Sequence, residues 1–339
     1  MRFLVAQPGP YFSVQDVYTG WTEALVRLGQ DVFGYNLGDR LTFYYSALRQ
    51  ADDGPFRHML TGEQAKELAV NGLYAALMKV RPHVLLLVSG FYIPPELLDI
   101  ARAAGVRVAL LCTESPYEDT KQAALAQHCD LTLVNDPTNL HLFPVGTEYV
   151  PHAYRPDIHQ PGPPVPDLVR DFAFVGSAYP SRIAFFEAMD LSGLSVLLGG
   201  NWRLTLDESP LREHLAHDVL DCMDNTETAD VYRSTRVGIN LYRREAESDD
   251  MASGWAMGPR EVELAACGAF FLRDPRGEGD EVLDMLPTFE SPAEASEQLR
   301  WWLARPDARA AAAEKARAAV ADRTFDNHAR RLLRLLEKG

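Results

Sequence analysis

The sequence predicts an α/β protein built from two doubly wound domains, each with a parallel sheet. The chain is 339 residues long, which suits two domains of about 150 residues each. Short apolar runs alternate with stretches of helical spacing, as expected when crossover helices join parallel strands. Five prolines within residues 154–167 interrupt this alternation near the middle. They predict a semi-rigid linker.

The first half of the chain supplies the first predicted sheet. Residues 84–88 form a continuous apolar run of leucine and valine, which is typical of a parallel strand buried on both faces. Residues 94–104 predict a helix, because prolines stand at its start and Gly105 follows its end. Further strands are predicted at residues 2–6, 30–35, 106–112, 131–134 and 147–150, and further helices at 15–28, 62–80 and 121–128.

The same alternation begins again after the proline-rich segment. Right-handed crossovers would make each half a doubly wound domain. Two such domains leave a cleft at the carboxyl ends of their strands, where ligands of open parallel sheets bind. The loops just after strands are therefore the candidate sites. Strands are predicted at residues 171–175, 195–198, 236–241 and 269–272, and helices at 181–189, 226–234, 260–267, 292–304, 306–320 and 326–337.

The net charge of −15 comes from 33 basic and 48 acidic residues, and both halves of the chain are acidic. This balance disfavours nucleic acid and anionic membranes as partners held by bulk electrostatics. A local basic pocket for a phosphate is compatible with it. No apolar run reaches the roughly 18 residues that a membrane span needs.

The expected location is the cytoplasm. The N-terminal residues lack the apolar stretch and cleavage site of a signal peptide. Cys112, Cys129, Cys222 and Cys267 form no CxxC pair and no metal-like spacing. They are interpreted as free thiols of a reducing compartment.

The strongest chemical signal is the stretch from Pro259 to Phe271, in which a helix ends at a glycine and leads directly into a buried strand. Arg260 and Glu263 lie three residues apart and share one helix face. If that face borders the cleft, Glu263 accepts hydrogen bonds from ribose hydroxyls, and Arg260 binds a phosphate or orients Glu263. The alternative is a solvated ion pair on a surface helix.

A second signal follows the strand at residues 171–175. Gly176 allows a ligand to approach the backbone closely, and Ser177 comes next. A helix starts near Ser181, and its free amides with Arg182 form a candidate diphosphate cradle. The alternative is an ordinary capped helix start.

Two further loops have weaker signals. Asn201 and Trp202 follow a pair of glycines, and Trp202 could stack on a base or sugar; the alternative is a tight turn with a packing tryptophan. Asn225 opens a helix together with Asp224, a good N-cap residue, so capping alone explains the composition there.

The loops of the first half suit a neutral, hydroxylated ligand, although they also suit an ordinary loop rim. Glu114 follows a strand, where a carboxylate is a candidate general base. Other polar and aromatic side chains have the same kind of position after strands or on the helices that follow. These candidate acceptor-binding residues are Gln7, Tyr11, Thr19, Ser89 and Tyr117, with Glu114 itself.

At these residues the chain resembles the GT-B glycosyltransferases, and within them the glycosyl transferases group 1-like domain of CgeB-type spore-maturation proteins. The resemblance covers most of the chain, with its motifs in the expected order. The matching stretches are residues 112–116, 150–156, 174–177 with Arg182, 224–232, 238–241 and 259–268.

The resemblance implies a GT-B fold with two Rossmann-like domains facing across a cleft. Residues 1–152 would bind the acceptor, 153–167 would be the linker, and 168–322 would bind a nucleotide-sugar donor. Residues 323–339 would form a helix that crosses back to the first domain. No cofactor and no metal are expected, in keeping with the absence of a DxD motif from the sequence.

The resemblance also assigns residues to the chemistry. Glu263 falls where retaining GT-B enzymes keep a glutamate for the donor ribose, and Arg182 falls where many keep a lysine for the diphosphate. The implied donor set is Gly176, Ser177, Arg182, Asn201, Trp202, Asn225, Asn240, Arg260 and Glu263.

Retention of configuration is favoured, but two departures leave the stereochemistry open. Ser177 stands where those enzymes tend to carry an arginine, and Trp255 stands where the first glutamate of an E-x7-E pattern would fall. Arg182 would neutralise the leaving diphosphate. If the reaction inverts, Glu114 or His152 would deprotonate the acceptor.

Three other functions are compatible with the sequence. A nucleotide-sugar epimerase shares the two-domain shape but usually keeps more carboxylates and histidines in its cleft. A non-enzymatic two-domain binder of small molecules is disfavoured by the lack of a secretion signal. A phage-type DNA-base glycosyltransferase is disfavoured by the charge.

Overall fold

The computed structural model describes residues 1–7, 15–52, 61–203, 208–216, 223–245 and 254–338. The chain divides into two compact units, the first made of Met1–Val150 with Phe325–Gly339 and the second of Pro151–Thr324. Each unit contains one sheet whose neighbouring strands are all parallel. The predicted α/β class with two parallel-sheet domains is confirmed.

The strands within the described residues are β1 (Arg2–Ala6), β2 (Asp31–Tyr35), β3 (Val84–Val88), β4 (Arg107–Cys112), β5 (Leu131–Val134), β6 (Glu148–Tyr149), β7 (Arg170–Val175), β8 (Val196–Gly199), β9 (Thr235–Asn240) and β10 (Phe271–Arg273). Those of the first unit are ordered β2-β1-β3-β4-β5-β6, and those of the second β10-β9-β7-β8. Both orders require crossovers, which the helices supply.

Helices follow most of the strands. Those of the first half are α1 (Gln15–Arg27), α2 (Leu37–Asp52), α3 (Gly62–Val80), α4 (Pro95–Ala103) and α5 (Asp119–Ala126). Those of the second half are α6 (Pro180–Glu187), α7 (Asn225–Ser234), α8 (Pro259–Ala266), α9 (Gly277–Val282), α10 (Pro292–Leu303), α11 (Pro306–Ala319) and α12 (Phe325–Lys338).

The core of each unit lies against its sheet. All five residues of β3 are buried, as the continuous apolar run predicts for a central strand. In the second unit, Phe172 and Phe174 on β7 pack with Phe186 on α6 and Trp202 after β8. This packing fixes the position of β7 and therefore of its carboxyl end.

Helix α2 is the largest element that the sequence analysis did not predict. Its described residues bury Leu37 and Leu41, whereas Phe43 and Tyr45 are exposed. The aromatic residues outside the buried stripe obscure the helical period in the sequence.

The C-terminal helix α12 packs on α1 within the first unit. A Cβ on Gly20 would fall 2.3 Å from the ring of Phe325, so α1 needs a glycine where the two helices touch. The Trp21 ring meets Phe325 edge-on with centroids 6.2 Å apart. Arg27 Nε donates to Asp326 Oδ1 at 3.0 Å.

The proline-rich segment, residues 154–167, is tied to α7 of the second unit. Arg233 Nη1 donates to the carbonyls of Ile158 (3.1 Å) and Gln160 (3.2 Å). The Val165 N–H donates to the Ser234 hydroxyl at 2.9 Å. These bonds give the segment defined partners, although its regular structure is limited to a short 3-10 helix that begins at Pro166 and a bridge at Tyr154.

The cysteines that the structure describes are free thiols. Cys112 and Cys267 are buried and Cys129 is half-buried, while Cys222 lies outside the described residues. Burial raises the pKa of Cys129 and of Cys267 to about 12, so both stay protonated. Within the described part of the chain, no helix is long and apolar enough to cross a membrane.

Candidate functional site

The second unit gathers the loops that the sequence singles out. Its four parallel strands end at Val175, Gly199, Asn240 and Arg273. Because parallel strands point the same way, the loops that follow them lie along one edge of the sheet. Helix α8 lies against this sheet and begins close to the ends of β7 and β9, as the contacts of Arg260 show.

Arg260 stands at the centre of this edge. Its Nε donates to the Val175 carbonyl at 2.7 Å, and its Nη1 donates to Asn240 Oδ1 at 2.8 Å. The guanidinium lies 4.6 Å from the centroid of the Phe174 ring. The side chain is only half-buried. A fixed cation therefore sits where the two central strands end, with part of its surface accessible.

The glycines of the neighbouring loops are required by close packing. A Cβ on Gly176 would fall 2.3 Å from Arg260 Nη2. Gly200 has φ +106°, and a Cβ there would fall 2.5 Å from the Gly176 carbonyl oxygen. The two loops and the guanidinium therefore fit together only because both positions lack side chains.

Glu263 follows Arg260 by three residues on α8 and is half-buried. A carboxylate oxygen of Glu263 and a ring nitrogen of His159 lie within 4.8 Å of each other. His159 is buried, and its Nδ1 accepts the Arg155 N–H at 3.3 Å. Burial, with the charge of Arg155, lowers the pKa of His159 to about 3. The imidazole beside Glu263 is therefore neutral, with its proton on Nε2.

Arg182 is buried, with a 7% exposed surface. Its Nε donates to the Leu241 carbonyl at 3.0 Å and its Nη1 to the Ser177 carbonyl at 2.9 Å. The guanidinium also lies over the rings of Phe174 and Tyr179. This geometry favours a role in tying the loop after β7 to the end of β9 over direct contact with a diphosphate.

The start of α6, predicted as the diphosphate cradle, already holds a carboxylate. Glu245 Oε1 accepts the Ser181 N–H at 2.8 Å, and Oε2 accepts the Ser181 hydroxyl at 3.0 Å. These bonds lower the pKa of Glu245 and keep it ionised. A phosphate bound at this helix terminus would be repelled by the Glu245 carboxylate. Arg260 is therefore a better candidate than the start of α6 for contact with a phosphate.

Trp202 lies in the core with 1% of its surface exposed. Its indole N–H donates to the Gly199 carbonyl at 2.9 Å, and its ring packs against Phe174 and Phe186. A buried ring presents no face to a base or sugar. The structure therefore favours the packing interpretation of this tryptophan.

The three asparagines of the predicted donor set differ in their surroundings. Asn201 Oδ1 accepts the Arg203 N–H at 3.2 Å and so closes its own turn. Asn240 is buried and orients Arg260 through Oδ1. Asn225 begins α7, and its buried Nδ2 has no hydrogen-bond partner within the described residues.

Asp224 caps α7, since its carboxylate accepts the Thr226 N–H at 2.8 Å. We expect Asp224→Ala to lower the stability of the second unit by about 1 kcal/mol. Binding of nucleotides should be unchanged, because the carboxylate serves the helix terminus. Denaturant unfolding and calorimetry check both statements, and a parallel loss of nucleotide affinity would contradict the capping interpretation.

The structure adds a group of buried polar residues that sequence reasoning missed: Tyr242, Glu261, Arg273, Asp274 and Arg276. All five are less than 9% exposed. They surround the first turn of α8 and the end of β9. The sequence gives no signal of this buried polar network, because residues 242–278 are rich in charged side chains and each of the five has an ordinary surface interpretation there.

The acceptor residues predicted in the first half lie in the first unit. Gln7 is buried and donates through its amide to Gln15 Oε1. The Thr19 hydroxyl donates to the Gln15 carbonyl at 3.0 Å, within its own helix. Ser89 is buried with φ +59°, and its hydroxyl lies 2.6 Å from that of Thr113. These three side chains are thus largely engaged within the unit.

The other predicted residues are more accessible. Glu114 and Tyr117 are half-buried in the loop after β4. His152 is half-buried and belongs to the second unit by its place in the chain. Tyr11 lies outside the described residues. The candidate general bases Glu114 and His152 therefore stay predictions.

Residues 182–334 match the family model described as glycosyl transferase-like. No curated protein matches the chain. Among solved structures, a trehalose-6-phosphate synthase has a TM-score of 0.66 at 13% identity, over 100% of this chain and 99% of that chain. A structure from E. coli described as trehalose-6-phosphate bound with UDP-2-fluoro glucose has a TM-score of 0.65 at 12% identity, with the same coverage.

Two other solved structures cover nearly the whole chain. The glycosyltransferase SnogD from Streptomyces nogalater has a TM-score of 0.54 at 16% identity, over 99% of both chains. A putative UDP-N-acetylglucosamine 2-epimerase from Listeria monocytogenes has a TM-score of 0.63 at 11% identity, over 98% of this chain and 94% of that chain. The fold of this protein is that of the GT-B glycosyltransferases.

Proposed function

We propose that this protein is a glycosyltransferase that moves a sugar from a nucleotide-sugar donor to an acceptor hydroxyl. The observation that carries the proposal is the pair Arg260 and Glu263 on α8, where the two central strands of the second unit end. A fixed cation and a carboxylate one helical turn apart suit a phosphate and a ribose. The match of residues 182–334 to a glycosyl transferase-like family supports the same reading.

The donor diphosphate would lie beside Arg260 and Gly176. Since the guanidinium is already oriented by Val175 and Asn240, it needs no rearrangement to meet negative charge that develops on the leaving diphosphate. Glu263 would accept hydrogen bonds from the ribose hydroxyls. Arg182 would act indirectly, by holding the Ser177 loop.

We propose UDP as the first nucleotide to test, because the E. coli neighbour is bound with a UDP-sugar analogue. The finer assignments are also proposals: a CgeB-like relationship, a reaction without metal, and retention of configuration. In a retaining reaction the leaving phosphate can accept the acceptor proton, so no protein base is needed. The acceptor would be a small hydroxylated molecule, since the charge of −15 disfavours a nucleic acid.

Titration calorimetry with UDP, GDP and ADP tests the proposal. We expect one of them to bind the wild-type protein and Glu263→Ala to weaken it roughly tenfold, the cost of hydrogen bonds to a charged group. Glu314→Ala is the matched control, because Glu314 is an exposed glutamate on α11 paired with Arg317. If none of the three nucleotides binds, or if Glu263→Ala and Glu314→Ala bind with equal affinity, the proposed nucleotide site is wrong.

A nucleotide-sugar epimerase is the second candidate, favoured by the fold shared with the Listeria monocytogenes protein. Proton NMR of the bound nucleotide sugar separates the two activities. A transferase releases the nucleoside diphosphate and keeps the sugar configuration at C2, whereas an epimerase at C2 changes that configuration. A two-domain binder without activity would leave the sugar intact.

A further inference from the structure

We infer that Glu261 is a positioning residue for the proposed nucleotide site: through Tyr242 and Gly258 it fixes the first turn of α8, and with it Arg260 and Glu263. The inference rests on the proposed function, because it concerns the same site. Glu261 is fully buried, with 0% of its surface exposed.

The contacts of Glu261 converge on the residue before α8. Its Oε2 accepts the Tyr242 hydroxyl and the Gly258 N–H, the latter at 3.1 Å. The same Gly258 N–H also lies 3.0 Å from the Tyr242 hydroxyl oxygen. Gly258 therefore starts the helix inside a closed group of three hydrogen-bonding partners, and one of the three is the carboxylate.

The two residues before Gly258 are held in the same way by buried charged side chains. The Met257 N–H donates to Glu278 Oε2 at 2.7 Å, and Glu278 pairs with Arg323 at 2.7 Å. Arg276 donates to the Ala256 carbonyl at 3.3 Å while its guanidinium stacks 3.8 Å from the centroid of the Tyr242 ring. The backbone of residues 256–258 is thus anchored at three successive positions.

This anchoring matters because α8 is only eight residues long. Arg260 and Glu263 lie within its first five residues, so a tilt of the first turn moves both side chains directly. A binding pair must be held to within about 0.5 Å of its working geometry. An apolar residue at position 261 would leave the Tyr242 hydroxyl and the Gly258 N–H short of a buried partner, which is costly.

The carboxyl group of Glu261 changes its protonation state near neutral pH. Burial raises its pKa to about 7, against the opposing effects of the hydrogen bonds from Tyr242 and Gly258 and of the cations Arg273 and Arg276. Arg273 faces it from β10, Arg276 precedes α9, and Tyr242 follows β9. Because the ionised carboxylate is the stronger acceptor, its hold on Gly258 strengthens as the pH rises through this range.

Two variants test the inference, and each removes one contact. Glu261→Gln removes the charge and keeps the shape, and Tyr242→Phe removes the hydroxyl and keeps the ring beneath Arg276. Tyr154→Phe is the matched control, because that hydroxyl donates to the Ala321 carbonyl elsewhere in the second unit. Hydrogen exchange is measured on the free protein, and UDP affinity is measured between pH 6 and pH 8.

We expect amide exchange in residues 254–263 to be at least tenfold faster in both variants and unchanged in the control. UDP affinity should fall about fivefold at pH 8. The wild-type affinity should rise with pH through about 7, and Glu261→Gln should lack that rise. Wild-type exchange in both folded variants, or an identical pH profile in Glu261→Gln, would overturn the positioning role.

The two proposals fail in distinguishable ways. If no nucleotide binds the wild-type protein, the proposed function falls, while the exchange of residues 254–263 still decides whether Glu261 fixes the first turn. If UDP binds but exchange in that segment is unaffected by either variant, the nucleotide site stands and the positioning role is wrong. Tyr242→Phe decides the question should Glu261→Gln fail to fold.

Discussion

Arg260→Ala is expected to weaken UDP binding by about 100-fold, the loss that follows from removing a charge-assisted contact to a phosphate worth about 3 kcal/mol. The variant removes the oriented cation at the ends of β7 and β9, and it also leaves the Val175 carbonyl without its 2.7 Å donor. Arg260→Lys should have an intermediate UDP affinity. A lysine keeps the positive charge but lacks the planar guanidinium that donates to Val175 and Asn240 at the same time.

Calorimetry with UDP measures this effect, and thermal unfolding separates it from a loss of folding. Arg236→Ala is the matched control, since Arg236 is an exposed arginine of β9 paired with Asp171 at the opposite end of the strands. Full UDP affinity in a folded Arg260→Ala variant would place the phosphate elsewhere, and Arg182 would then be the next candidate.

The second unit should lose stability as the pH rises from about 4.5 to about 7, and Glu261 should account for the loss. Its pKa in the folded protein is about 7, against an ordinary value of 4.5. The folded state therefore holds this proton more tightly than the unfolded state. The stabilisation that this proton gives is complete at pH values below the pKa of Glu261 in the unfolded state. It is lost as the pH rises through the pKa in the folded state, and the difference is about 3 kcal/mol.

Urea unfolding at pH 4.5 and at pH 8 measures the change in the free energy of unfolding, and subtracting the same change in Glu261→Gln isolates this residue. Tryptophan fluorescence reports mainly on the second unit, which contains Trp202, Trp255, Trp301 and Trp302 of the five tryptophans. Equal pH dependence in the wild-type protein and in Glu261→Gln would show that the carboxyl titrates normally.

The sequence predicted the strands well because burial on both faces leaves a strong local signal. The run at residues 84–88 needed no knowledge of its neighbours, and the structure gives β3 the same bounds. The start of α5 shifted by two residues, from 121 to Asp119, because Asp119 is buried and bonds Ser115 and Asn139 rather than facing solvent. Such contacts join residues up to 20 positions apart and leave no local pattern.

The candidate site was predictable in part. The spacing of Arg260 and Glu263 placed them on one helix face, and the chain order placed that helix between two strands. From the sequence, both Arg260 and Arg182 are assigned to the donor phosphates, since both are arginines near a glycine-containing loop. Only the bonds of Arg182 to the Ser177 and Leu241 carbonyls, and the presence of Glu245 at the start of α6, distinguish the two.

The sequence by itself determined the class of fold and the loops in which a ligand site would lie, because hydrophobic periodicity and strand order are properties of short segments. Tertiary structure decided which of the candidate side chains are buried in the core and which remain accessible. Trp202 and Glu261 became buried and Arg260 stayed half-buried. That outcome depends on contacts between side chains from β7, β9, β10 and α8. It cannot be predicted from any single segment of the sequence.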